Sequence, residues 1–137
     1  MRRRKLESGF TLVELLVVLV ILGLLAALVV PNLIGNVGKA QIATTKTQIA
    51  NLETALDSFR LDVGRYPNSQ EGLHALVERP AGADRWDGPY LKKGVPLDGW
   101  EHPYVYKSPG DKGPYEIMSY GADGVAGGDK EKADLTN

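Results

Sequence analysis

The sequence predicts an α+β fold. One long N-terminal helix, membrane-spanning in its first half and amphipathic in its second, carries a short helix and a small antiparallel sheet packed on it. Three observations predict this. An apolar run of about 20 residues lies near the N-terminus. A stripe with helical spacing follows between Ala40 and Val63. Beyond it, short aromatic and β-branched segments alternate with prolines and glycines.

The first element opens at Lys5-Leu6-Glu7-Ser8-Gly9-Phe10-Thr11-Leu12-Val13-Glu14. A basic leader, Arg2-Arg3-Arg4-Lys5, runs into a glycine and a phenylalanine, and the apolar run begins at once. A secretory signal places its cleavage site after the apolar region, which is then discarded. Here the small residue lies before that region. A cut after Gly9 removes only the leader and leaves the helix on the mature chain. Phe10 to Val30 holds one charge and is long enough to cross about 30 Å of hydrocarbon as a helix. Cations beside a first membrane helix stay in the cytoplasm, so the C-terminal part is led outward. A plain membrane anchor needs neither the Gly-Phe junction nor an acid inside the run.

That acid is Glu14. A carboxylate near the centre of a membrane helix costs about 2.5–3.5 kcal/mol on insertion scales, and less near the interface. One reading is a carboxylate at headgroup level facing the cytoplasm. The other uses the amine that cleavage creates on Phe10: Glu14 of an adjacent subunit neutralises it. In low dielectric that pairing is strong and an unpaired partner is heavily penalised, so it sets the register of neighbouring helices.

Pro31 follows the run, then Asn32, Gly35, Asn36 and Gly38, all poor helix formers. The expected result is a helix that continues but is weak from Gly23 to Gly38. The alternative is a membrane helix that stops at Pro31 and a second helix that starts later. The chain thus divides into a leader (residues 1–9), a transmembrane helix (10–31) and an outer domain (32–137).

In the second helical stretch Ile42, Ile49, Leu52, Leu56, Phe59 and Val63 mark one face, and Lys46, Gln48, Glu53, Asp57 and Arg60 the other. Gly64 to Ser69 is a cluster of breakers. Ser69 is the expected N-cap of a short helix from Gln70 to Glu78, with Leu73, Leu76 and Val77 as its apolar face. Three strands are expected: Tyr90-Leu91-Lys92, Tyr104-Val105-Tyr106 and Tyr115-Glu116-Ile117-Met118-Ser119. Trp86, Tyr90, Trp100, Tyr104 and Tyr106 are expected to fill the core beside them. The Gly/Asp-rich tail from Gly121 is the most loop-like stretch.

Composition narrows the function. At 137 residues with no cysteine, the outer domain, roughly 100 residues, has a modest core and no disulfide staple, which turns attention to a metal. The leader carries four cations and Glu7; without it 12 Lys+Arg face 16 Asp+Glu, a net charge of −4, which is no nucleic-acid signature. No nucleophile motif or phosphate loop is present, and His74 and His102 lack ligand spacing. Asp123, Asp129 and Asp134, with Glu131, lie in the glycine-rich tail. Hard oxygens on flexible backbone suit Ca²⁺, but the spacing is not an EF-hand, and a solvated acidic loop has the same composition.

The Gly9-Phe10-Thr11-Leu12-Val13-Glu14 segment resembles the type IV pilin-like precursors. Further segments narrow the resemblance to the G-subunit family, the major pseudopilins of type II secretion systems. They are Val30-Pro31-Asn32-Leu33, Leu56-Asp57-Ser58-Phe59-Arg60-Leu61-Asp62 and Gly64-Arg65-Tyr66-Pro67, followed by Glu71-Gly72-Leu73-His74-Ala75-Leu76-Val77 and Tyr90-Leu91-Lys92-Lys93. The C-terminal part adds Pro103-Tyr104-Val105-Tyr106, Ser108-Pro109-Gly110 and Ser119-Tyr120-Gly121-Ala122-Asp123-Gly124. Two segments depart from the family. It usually reads Asp-Pro-Trp-Gly where this chain has Asp98-Gly99-Trp100-Glu101, so the turn should differ if that glycine takes a positive φ. Its tail often continues past Ala-Asp-Ile with Gly-Asn-Trp, where this chain reads Ala133-Asp134-Leu135-Thr136-Asn137.

The resemblance implies a type IV pilin-like fold and a non-enzymatic role. A prepilin peptidase cuts between Gly9 and Phe10 and methylates the Phe10 amine. Glu14 and the Pro31 region serve assembly, the latter extending or melting in the filament. The subunit stands in the inner membrane of a Gram-negative bacterium with its C-terminal domain in the periplasm. It then polymerises with itself and with minor pseudopilins into a pseudopilus that helps folded proteins cross the outer membrane. An assembly ATPase and an inner-membrane platform protein drive it. The resemblance also implies calcium in the tail, held by the Asp123 and Asp134 side chains and the carbonyls of Tyr120 and Val125, with Asp129 a further candidate. Two rivals remain at this point. One is a true pilin, which usually closes its C-terminal region with a disulfide; the other is a membrane-anchored hydrolase using acids such as Asp123 and Asp134.

Overall fold

A computed structural model describes residues 8–137 and, within them, every side chain but those of residues 32–34. The leader residues Arg2, Arg3, Arg4, Lys5 and Glu7 lie outside the described residues. The first element, α1, runs unbroken from Leu12 to Val63 over 52 residues with Pro31 inside it. The helix therefore continues through Pro31, and the alternative of a stop there is not met. Proline removes one helix hydrogen bond, to the Ala27 carbonyl, and the turns on either side carry the helix past it. α1 ends where the Gly64 N–H, with φ 89, closes on the Arg60 carbonyl at 2.8 Å.

The chain divides into two units, one ending at Val37 and one spanning Gly38–Asn137. In the first, every described side chain from Leu12 to Pro31 is exposed, including an uninterrupted series of Leu, Val and Ile. Among the described residues, α1 is the one helix long and apolar enough to cross a membrane.

The second unit has a core of its own. From α1 it takes Ile49, Leu52, Leu56 and Phe59 of the stripe the periodicity marks, with Val63 packed at its edge; Ala55 joins them, and Ile42 is half-buried outside that core. Thr45 is fully buried on the same face, where the stripe skips from Ile42 to Ile49. Its hydroxyl donates to the Gln41 carbonyl (2.8 Å) and accepts the Gly99 N–H (2.9 Å). A Cβ on Gly99 would sit 2.5 Å from the Gln41 carbonyl, so only glycine lets this turn lie on the helix.

The short helix is smaller than expected: a 3-10 helix, Gly72–Leu76, rather than Gln70 to Glu78. Gly72 takes φ 58, which breaks the α geometry at its start. The cap also moves. The Asn68 side chain accepts the Glu71 N–H and Glu71 accepts the Asn68 N–H, both at 2.8 Å, a reciprocal box. Ser69 instead exchanges two hydrogen bonds with the backbone of Ser108. Leu73, Ala75 and Leu76 enter the core, while Val77 is only half-buried.

The sheet has the order β1-β2-β3, antiparallel throughout: β1 Val105–Lys107, β2 Glu116–Ser119 and β3 Leu135–Thr136. Two expected strands are met within a residue or two. Tyr90-Leu91-Lys92 is not a strand. Its backbone contributes one bond, Tyr90 N–H to the Leu76 carbonyl, and the Tyr90 ring packs edge-on against Phe59 and Trp86 while its hydroxyl donates to Asp62. The third strand comes instead from the tail, where Met118 pairs with Thr136 and Ser119 with Leu135. Tyr104, Tyr115 and Ile117 bring the sheet into the same core as the α1 stripe. Trp86, Tyr90 and Tyr106 pack against that core; Trp100 lies outside it.

Candidate functional sites

The N-terminal site is built on the first turn of α1. Gly9 and Phe10 precede the helix and are exposed, Phe10 at 86%. Thr11 sits at the cap position and Glu14 three residues on. The Thr11 hydroxyl accepts the Glu14 N–H (3.2 Å), and a Glu14 carboxylate oxygen accepts the Thr11 N–H (2.9 Å). This is a capping box, in which two orphan N–H groups of the helix end are satisfied reciprocally. The carboxylate is thus held beside the backbone one residue from Phe10, with its second oxygen free of that bond. The pattern Thr-x-x-Glu before an apolar run is the signal that reveals it, and it adds Thr11 to Glu14 as a residue of this site.

The second site is the loop between β2 and β3. Tyr120 leads into a 3-10 turn, Gly121–Asp123, closed by Gly124 at φ 66. Asp123 Oδ1 accepts the Val125 N–H at 3.2 Å. Both oxygens of Asp134 lie on the Gly127 N–H, at 3.0 and 2.9 Å. The two aspartates therefore rest on N–H groups two residues apart, those of Val125 and Gly127. Asp129 opens a second 3-10 turn, Lys130–Lys132. Glu131 belongs elsewhere: its side chain lies on Gly38 of α1, where a Cβ would be 2.0 Å from its oxygen. Among the described residues, no group of three or more His, Cys, Asp or Glu side chains converges. A cation here would need main-chain carbonyls beside the two aspartates, and the donor set is all hard oxygen on a loop bent by glycine, which suits Ca²⁺ by type.

Behind this loop lies a polar group that composition gave no reason to notice. Asp98 is 5% exposed. One of its oxygens accepts the N–H groups of Trp100 and His102, each at 2.9 Å; the other accepts the hydroxyl of fully buried Ser119. Ser119 in turn accepts the Gly121 N–H at 3.3 Å, and His102 Nδ1 lies 3.1 Å from the Gly121 carbonyl.

Residues 32–137 match the family described as type II secretion system (T2SS), protein G, and residues 4–30 match the prokaryotic N-terminal methylation motif. The chain belongs to the type II secretion system protein G family. It is 47% identical to the type II secretion system core protein G of Pseudomonas aeruginosa, across 98% of this chain and 97% of that one. It is 45% identical to the protein of the same name from Vibrio cholerae, across 100% and 95%. Its fold matches the crystal structure of the major pseudopilin from the type 2 secretion system of enterohaemorrhagic Escherichia coli. That match has a TM-score of 0.64 at 38% identity and covers 80% of this chain and 96% of that one. This chain of the protein G family thus has a capped apolar helix in its N-terminal segment and an aspartate loop in its C-terminal segment.

Proposed function

We propose that this chain is the major structural subunit of a type II secretion pseudopilus, polymerising through α1 to help export folded proteins across the outer membrane. The observation that carries this is the end-to-end likeness to core protein G, leader motif and C-terminal domain together. The subunit works by assembly rather than catalysis. A prepilin peptidase cuts Gly9–Phe10 and methylates Phe10. The subunit is then held in the inner membrane by α1 with residues 38–137 in the periplasm, until a platform protein draws it into a polymer with its own copies and with minor pseudopilins.

The chemistry of assembly falls to Glu14. Its box with Thr11 keeps the carboxylate satisfied while the subunit stands alone in lipid. In the filament it accepts the Phe10 ammonium of a neighbour. In cells carrying the rest of the machinery, Glu14→Gln should lose residues 1–9 and gain the Phe10 methyl group, read by mass spectrometry, yet yield no pseudopili. Normal filaments from this variant would refute the pairing. Gly9→Val should stay uncleaved.

The 120–134 loop is read as a calcium site, with Asp123 and Asp134 side chains and the Tyr120 and Val125 carbonyls as ligands and Asp129 as a further candidate. Bound calcium would tie the turn after β2 to β3 and take the place of a disulfide. Saturating calcium should raise the melting temperature of the full chain in detergent relative to chelator, by about 2.7 kcal/mol of stability at a hundredfold excess over Kd. Asp123→Ala should abolish the rise. An unchanged melt in wild type would remove the calcium reading and leave the filament reading standing.

A further inference from the structure

The turn from Asp98 to His102 is joined to the aspartate loop by a closed ring of hydrogen bonds. Asp98 Oδ1 accepts the His102 N–H, and His102 Nδ1 meets the Gly121 carbonyl. The Gly121 N–H reaches Ser119, whose hydroxyl returns to Asp98 Oδ2. Both faces of Gly121 are therefore held from outside the loop.

That placement has a direct geometric result. A peptide unit is planar, so fixing an N–H fixes the carbonyl on the other side of the same bond. The Gly121 N–H belongs to the Tyr120–Gly121 unit, which is trans. Pointing that N–H at Ser119 points the Tyr120 carbonyl the opposite way. The Gly121 carbonyl belongs to the next unit, and its bond to His102 fixes that plane as well. The imidazole also fills the space beside Gly124: a Cβ there would lie 3.2 Å from Cε1 and 3.4 Å from Nδ1. Gly124 is the left-handed residue between Asp123 and Val125. His102 thus meets the segment at Gly121 and again beside Gly124.

We infer that His102 is a positioning residue for a cation in the 120–134 loop, acting with Asp98 and Ser119 to hold the Tyr120 and Val125 backbone in a binding arrangement before the metal arrives. The inference rests on the calcium reading. Preorganised outer partners of metal ligands typically carry about 10- to 100-fold in affinity. Asp98 and Ser119 are buried, so altering them tests folding as much as binding; His102 is half-buried and is the residue to change.

The experiment is calcium titration by calorimetry on the full chain in detergent, for wild type, His102→Ala, His102→Asn and Asp123→Ala. The melt in chelator is recorded for each. Asparagine places an amide N–H where imidazole places Nδ1, so it can donate to the Gly121 carbonyl. The expected result is Kd weaker by about tenfold or more in His102→Ala, recovery in His102→Asn, and a chelator melt that differs little among them. Equal calcium affinity in wild type and His102→Ala overturns the positioning role and leaves the calcium reading intact. So does an affinity loss in His102→Ala that His102→Asn fails to recover. No binding in wild type overturns both.

Discussion

Glu101 holds a backbone angle that suits glycine better than any other residue, φ 65. The sequence pattern of Asp98-Gly99-Trp100-Glu101 suggested a turn of altered geometry. The structure keeps the left-handed residue and strains Glu101 instead, because the bonds from Asp98 to the N–H groups of Trp100 and His102 fix the path on both sides. A side chain in this region costs about 1–2 kcal/mol, partly offset by the extra freedom glycine has when unfolded. Glu101→Gly should therefore raise stability by about 1 kcal/mol, seen as a higher denaturation midpoint with unchanged slope. A fall in midpoint would mean that the Glu101 side chain holds the turn by a contact outweighing the strain. Asp98 itself was not legible in the sequence. An aspartate beside glycine reads as a turn residue, and nothing in the spacing says that Ser119, far along the chain, will supply its other partner.

At the scale of elements, α1 was legible where its residues obey one period and opaque where they do not. The stripe from Ile49 to Phe59 is the core face, as its spacing required. Thr45 lies on the same face unseen, because a hydroxyl breaks the apolar pattern while serving as the anchor for Gly99. β3 was invisible for another reason: two residues cannot display an alternation, and pairing with β2 alone makes them a strand. The short 3-10 helix owes its start to Asn68 and Glu71, and Arg65 adds two bonds to Glu71 at 2.7 and 2.8 Å. Those bonds from Arg65, opposed by burial and aided by the Asn68 N–H, hold the Glu71 carboxyl below its ordinary value of 4.5. A lowered carboxyl contributes stability that is full above the ordinary value and lost as pH falls through the lowered one. Glu71→Gln should thus cost about 1 kcal/mol at neutral pH and flatten the acid limb of the melting curve. An acid limb identical to wild type would place the acid sensitivity elsewhere.

Across the whole chain, sequence and structure agree best on the division of labour: an apolar helix outside any core, and a domain with a core of its own. The domain also sets an alkaline limit. Burial pushes the hydroxyls of Tyr104 and Tyr106 from 10.0 up to about 12. A phenol kept neutral by folding contributes stability that is full below its unfolded value and is lost as pH rises toward the raised one. Melting temperature should therefore fall steadily above pH 10, and Tyr106→Phe should lessen the slope; a flat profile there would contradict the burial of these hydroxyls. The other end of the molecule obeys a different logic. From Leu15 to Val30 the helix offers hydrocarbon in every direction, so lipid can fix its depth but has no means of choosing which side faces where. Azimuth is undetermined by the solvent. The carboxylate of Glu14 breaks that cylindrical symmetry, so a single side chain gives an otherwise featureless rod a front and a back.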